Sequence, residues 1–201
     1  MFPLGSALLP GERLPLRIFE PRYRRLLDDC LTQQHPGFGV VLIARGHEVG
    51  GGDQRHDVGT WAQIDRHTPG PGASVLLAGT GTWRFEVVDW LPDNPYPQAR
   101  IQRLPEPRAT ADETARLIEI GTRIRELIDE TLSRRGISDR TTVPAFDADD
   151  LAAVGLFGWI ARLPIGQADR QALLAAADTA ARIHIVDDAL DTLTARIRFD
   201  I

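Results

Sequence analysis

His47 and Glu48 stand where the first two residues of a zincin helix would, but position 51 holds Gly where that helix needs its second His. Zinc requires three or four converging ligands. The other histidines, His35, His56, His67 and His184, share no ligand spacing, and the single cysteine, Cys30, excludes a multi-cysteine zinc site and an internal disulfide. No metal or other cofactor is expected. The run Gly50-Gly51-Gly52-Asp53 is followed by no helical pattern that would aim an N-terminus at a phosphate, so it reads as a hairpin tip. None of Ser6, Ser74, Ser133 and Ser138 lies in a Gly-x-Ser-x-Gly elbow. Cys30 falls on the apolar side of a helical pattern and reads as a buried, inert thiol. Asp147, Asp149 and Asp150 cluster where a helix begins, which N-capping explains without a metal.

The basic residues narrow the chemistry further. All 23 are Arg; the chain has no Lys. A Walker A loop needs a Lys against its phosphates, and Schiff-base and Ser–Lys catalysis need a Lys amine. These residues can form none of the three, and no enzyme activity is expected of them. One alternative stays open, a small hydrolase with a cleft near His47, Glu48 and Asp53. A small-ligand or interaction domain is another.

The elements around these residues follow from length and composition. The chain has 201 residues, a net charge of −5, 43 % hydrophobic and 25 % charged residues. That suits one large or two small globular domains with no need of a disulfide or metal. No apolar run approaches membrane-spanning length. The start, Met1-Phe2-Pro3-Leu4-Gly5, has no positive n-region, so a cytoplasmic location is expected. The acidic balance, with Arg24-Arg25 and Arg134-Arg135 as isolated pairs, argues against nucleic acid.

Composition changes near Leu104-Pro105-Glu106-Pro107-Arg108. Residues 1–108 hold 12 of 14 Pro, 13 of 18 Gly and three of four Trp, and their charges cancel; residues 109–201 are rich in Ala, Leu, Arg and Asp. The expectation is an α+β protein with a β-rich subdomain over 1–108 and a helical bundle over 109–201. Strands are expected at Arg13–Phe19, Phe38–Ala44, Val58–Asp65, Val75–Ala78, Trp83–Leu91 and Ala99–Leu104, with Gly79-Thr80-Gly81-Thr82 read as a hairpin turn. One helix starts at Pro21 with Tyr23, Leu26, Leu27, Cys30 and Leu31 at helical spacing. Six or so strands with Gly/Pro turns suggest a partly closed barrel. In the second half a capping box opens at Thr110 and a stripe from Leu117 to Leu132 ends at Gly136. A second helix spans about 149–162, with Leu151, Val154, Phe157 and Ile160 on one side. A third pattern, about 168–197, is one long helix or two joined by a kink near Asp178.

The string Leu14-Pro15-Leu16-Arg17-Ile18-Phe19-Glu20-Pro21-Arg22-Tyr23-Arg24 resembles the N-terminal substrate-recognition domain of Lon proteases. Phe38-Gly39-Val40-Val41-Leu42-Ile43, Gly81-Thr82-Trp83-Arg84-Phe85-Glu86-Val87 and Leu163-Pro164-Ile165 resemble later parts of the same domain, in the same order. Arg17 stands where many relatives have His, and Pro69-Gly70-Pro71-Gly72-Ala73 lacks the usual Asp-Gly-Arg turn. The resemblance implies a β pseudo-barrel followed by a helical bundle. It implies a module that binds unfolded or tagged polypeptide, working beside a separate protease. Because the chain ends at Ile201, a stand-alone domain without the AAA+ and protease regions is expected. Within the motif Pro15, Leu16, Ile18 and Phe19 are expected as strand core, Pro21 as helix starter, Glu20 as cap or partner of Arg22, and Tyr23 as part of the scaffold. The candidate binding residues are Trp61 and Trp83: at least one is expected to be exposed along a groove, since apolar surface is what marks an unfolded chain.

Overall fold

A computed structural model describes residues 1–45 and 54–199. His47, Glu48, Asp53 and the Gly50–Gly52 run lie outside the described residues. The chain divides into two compact units, Met1–Pro105 and Glu106–Ile201.

The first unit is a mixed six-stranded sheet with one helix. Its elements are β1 (Phe2–Leu4), β2 (Arg13–Ile18), α1 (Pro21–Leu31), β3 (Gly37–Arg45), β4 (Gln54–Pro69), β5 (Val75–Leu91) and β6 (Gln98–Arg103). The strand order is β1-β3-β4-β5-β2, with β6 also on β5; β1 runs parallel to β3 and the other pairs are antiparallel. Strands β2 and β6 bond the same edge of β5, β2 along residues 75–80 and β6 along 85–91.

Alternation divides the sheet's side chains between two faces. Phe38, Val40, Ala62, Ile64 and Leu77 join Leu26, Leu27 and Cys30 of α1 in the main core. Val41, Phe85 and Val87 form a second cluster on the other face, against Met1, Trp61, Trp83 and Trp90. Two bulges keep that second face in phase. One sets Trp61 against both Thr82 and Trp83, between the pairs Thr60–Arg84 and Ala62–Gly81. The other, between Val87 and Asp89, returns Trp90 to the side of Val87.

Strand β5 corrects one expectation. Gly79-Thr80-Gly81-Thr82 is no turn; β5 runs through it unbroken. These glycines are points of close approach. A Cβ at Gly79 would sit 2.7 Å from Gln63 O, and one at Gly81 would sit 2.5 Å from Leu9 O. The hairpin turn lies instead at residues 70–74, where Gly70 N–H donates to Ser74 O at 2.9 Å.

Helix α1 starts at Pro21, its missing N–H costing nothing in the first turn. Its far end is tied to the segment between β5 and β6, where Tyr96 Oη donates to Asp29 Oδ2 at 2.8 Å. Burial first, then this bond and the Asp29 charge, push the Tyr96 phenol up to about 12. A pKa raised on folding means stability that is full below the unfolded value near 10 and is lost as the phenol ionises toward 12. Urea melts between pH 9 and 12 are therefore expected to show a loss that Tyr96→Phe lacks. Absorbance at 295 nm reports the same late phenolate.

The second unit holds α2 (Ala111–Arg134), α3 (Ala148–Ile160), α4 (Gln167–Ala175) and α5 (Thr179–Phe199), which pack together. The capping box is present: Thr110 Oγ1 accepts from Glu113 N at 3.2 Å, and Thr110 N donates to Glu113 Oε2 at 2.7 Å. The third pattern is two helices, broken just before Asp178, whose carboxylate accepts from Ala181 N at 2.8 Å. Ala177 and Ala180, at this break, are exposed. Helix α3 also departs from expectation: Gly155 has φ +66° and breaks the helical path. The residues beyond it rotate, so Val154 is exposed while Leu156, Phe157, Trp159 and Ile160 are buried. Arg116 and Arg123 on α2 both bond Asp187 of α5, at 3.0 and 2.6 Å, holding the two helices side by side. Among the described residues no helix is long and apolar enough to cross a membrane.

Candidate functional site

The sequence motif occupies β2 and the first turn of α1, and its residues part company in burial. Ile18 and Tyr23 are core. Leu16 is half-buried, and Pro15 is exposed. Phe19, expected in the core, is 57 % exposed. The strand ends at Ile18, and the chain turns into α1 before another inward position comes round. Glu20 makes no side-chain cap; its carboxylate takes Arg22 Nε at 3.0 Å, while the Arg22 guanidinium lies 4.5 Å from the Tyr23 ring centre.

Around this strand the surface is hollowed. A cleft of about 480 Å³ lies over Pro15, Arg17, Arg66, Thr68, Leu76 and Ala78. A smaller one of about 200 Å³ lies between β1 and β2, walled by Phe2, Leu4, Leu16, Phe19 and Tyr23. A third, of about 420 Å³, continues past Pro15 to Arg13, Asp65 and Thr80. Leu76, at 43 %, is another exposed large apolar side chain here. Asp65 accepts from Thr80 Oγ1 at 2.7 Å, and Arg17 Nε donates to Ser74 Oγ at 3.3 Å. Ser74 donates in turn to Pro71 O at 2.7 Å and serves the hairpin turn.

Trp61 and Trp83 come together on the second face of the sheet. Their rings stack at 5.2 Å and 8°, and both are half-buried. Arg103 lies 5.4 Å from the Trp83 ring centre. Trp90 donates to Asp57 at 2.8 Å beneath the Arg55 guanidinium. Arg84, next to Trp83 in β5, is 2 % exposed and donates to Pro105 O at 2.9 Å.

Cys30 and Asp147 hold structure. Cys30 Sγ donates to Gly37 O at 3.1 Å, and burial pushes its pKa up, away from the reactive thiolate. Asp147 caps α3 by accepting from Asp150 N at 3.0 Å. In the helical unit a cavity of about 340 Å³ is walled by Leu117, Leu151, Leu156 and Arg182. The Arg182 charge is met by Glu106 at 2.8 Å and lies 4.6 Å from the Phe157 ring centre. Each unit presents apolar surface bordered by guanidinium groups.

Comparison with known proteins gives a consistent answer. Residues 1–192 match the family described as the ATP-dependent protease La (LON) substrate-binding domain. A Lon protease 2 from Sorangium cellulosum is 31 % identical over 197 residues, which is 90 % of this chain and 23 % of that protein. A Lon protease from Phenylobacterium zucineum is 30 % identical over 110 residues, 53 % of this chain and 14 % of that protein. The chain thus spans less than a quarter of the length of either. Among solved structures, a Lon N-terminal domain protein from Xanthomonas campestris is 28 % identical at a TM-score of 0.60, covering 91 % of this chain and 92 % of that one. The N-terminal domain of a Mycobacterium avium complex Lon protease shares the fold at a TM-score of 0.62 and 18 % identity, covering 94 % and 96 %.

Proposed function

The chain belongs to the substrate-binding domain family of the ATP-dependent Lon (La) proteases, and from that membership we propose that it is a non-catalytic module that binds unfolded or tagged polypeptide segments. Cleavage of what it holds falls to residues other than these, since no Lys is available for a Walker A loop or a Ser–Lys pair. The β-rich and helical parts act as two subdomains of one recognition module. The observation that carries this reading is the exposure of Phe19 and Leu76 beside clefts along the motif strand. Each leaves apolar surface beside a cleft, which is what an unfolded chain's apolar side chains can cover.

A reduced, alkylated and therefore permanently unfolded model protein is expected to bind, whereas its native form is not. Phe19→Ser and Leu76→Asp are each expected to weaken that binding about tenfold, roughly 1.4 kcal/mol, with unchanged thermal melting. Fluorescence anisotropy of the labelled unfolded chain measures it. No binding at micromolar concentration overturns the proposal. A second reading puts the contact on Trp61 and Trp83, favoured by their partial exposure and by Arg103 beside them. In that case tryptophan emission shifts on binding, and Trp83→Leu rather than Leu76→Asp weakens it.

A further inference from the structure

The backbone of β2 decides how a chain would sit in the clefts beside it. Strand β2 bonds β5 alone among the described strands. The hydrogen bonds flanking the β2–β5 ladder fix which of its peptide groups face β5. Ser74 O, an even-numbered position just before β5, accepts from Gly70 on the β4 side, while Gly81, an odd position, bonds Glu12 and Gly11 on the β2 side. Even positions of β5 therefore turn to β4 and odd ones to β2. Leu14, Leu16 and Ile18, opposite Gly79, Leu77 and Val75, are bonded to β5. Arg13, Pro15 and Arg17 turn their peptide groups the other way, and Pro15, which has no N–H, offers that side its carbonyl alone. Among the described residues these outward groups have no backbone partner.

Side chains divide along the same strand. Arg13, Pro15 and Arg17 share the outer face with Thr80, Ala78 and Leu76 of β5, and Arg66 lies opposite Ala78 on β4. That face carries three guanidinium groups and one carboxylate, Asp65, which is already engaged by Thr80. Past the other side of the strand lies the apolar cleft of Phe2, Leu4, Leu16 and Phe19.

We infer that the free edge of β2 accepts an extended polypeptide as an added strand, one that alternates acidic side chains toward Arg13 and Arg17 with apolar side chains toward the cleft of Phe2 and Phe19. Main-chain bonds hold it, and the alternation selects it. This rests on the polypeptide-binding reading above and specifies its ligand.

The test uses the full chain and labelled eight-residue peptides in a polarisation assay. A peptide alternating Val and Glu is expected to bind at least tenfold more tightly than one alternating Val and Lys, and than the same Val and Glu residues in two blocks. The double variant Arg13→Glu, Arg17→Glu is expected to reverse the preference for Glu over Lys. Two methylated versions separate strand addition from simple charge attraction. Methylating every Glu amide abolishes binding of an antiparallel strand and leaves the Val-methylated peptide bound; a parallel strand gives the opposite pair of results. Either asymmetry supports the inference. Equal binding of the Glu and Lys peptides overturns it, as does equal binding of both methylated forms and the parent. The unfolded model protein, run beside them, keeps the two readings apart. If it binds while the peptides show no preference, strand addition fails and polypeptide binding stands; if it does not bind, the broader reading fails.

Discussion

Phe85→Ala is expected to lower folding stability by about 3–5 kcal/mol, the range for emptying a fully buried aromatic site. Phe85 has no exposed surface. Its ring lies over one glycine of β4 and one of β3 beyond it: a Cβ at Gly59 or at Gly39 would come within 2.8 Å of Phe85 Cζ. The ring fills the space those glycines leave, beside Met1 and Val41. Trp83 meets the Phe85 ring edge-on at 6.3 Å and loses that support as well. Chemical denaturation with far-UV detection measures the loss, and Phe85→Leu is expected to recover part of it. A loss below about 1 kcal/mol would mean that the second face of the sheet is not packed as described.

Gly121→Ala is the second large effect, and its sign is opposite to the usual one. Inside an exposed helix, Ala in place of Gly adds about 1 kcal/mol of stability. Gly121 lies in α2 facing the Phe146 carbonyl oxygen, and an added Cβ would fall 2.7 Å from Trp159 Cη2. Phe146 and Trp159 are fully buried and meet edge-on at 5.7 Å, so neither ring can swing away. The methyl group therefore has to push the loop carbonyl and the indole apart, which costs about 1–3 kcal/mol beyond the helix gain, as overpacking does. Gly121→Val is expected to cost more. Thermal melting decides the sign; a higher melting temperature for Gly121→Ala would refute the contact.

How much of this was legible in the sequence depends on whether the deciding physics is local. The capping box at Thr110, Pro21 in the first turn of α1 and the Asp147 cap each act within four residues, and each stands where the sequence indicates. The glycines of β5 misled because close approach and turning use the same residue. Only Gln63 and Leu9, distant in sequence, show that Gly79 and Gly81 make room for backbone rather than for a bend. The break at Gly155 was hidden because the apolar spacing Leu151, Val154, Phe157, Ile160 runs straight across it in sequence, although burial changes side there. Strand β1 is three residues long, too short for alternation to register. For the candidate site, the motif identified the strand, but its pattern alone did not show Phe19 outside the core, since apolar type predicts burial and the turn into α1 overrides it. The Arg13 and Arg17 face emerges only from the pairing of β2 with β5.

The ladder between β4 and β5 also sets an order of events. Its two arms meet across the tight turn at residues 70–74, and pairing begins with Pro69 against Val75. Such neighbours find each other quickly, because little chain has to be gathered to close the loop. Strand β2 has a longer search: Arg13 must reach Thr80, 67 positions along the chain (80 minus 13). During refolding, pulse-labelled amides of the β4–β5 ladder should gain protection before those of Leu14, Leu16 and Ile18. The hairpin is then a template with an open side, and β2 is the first strand laid against that side, in the same way that a bound chain would be laid against β2.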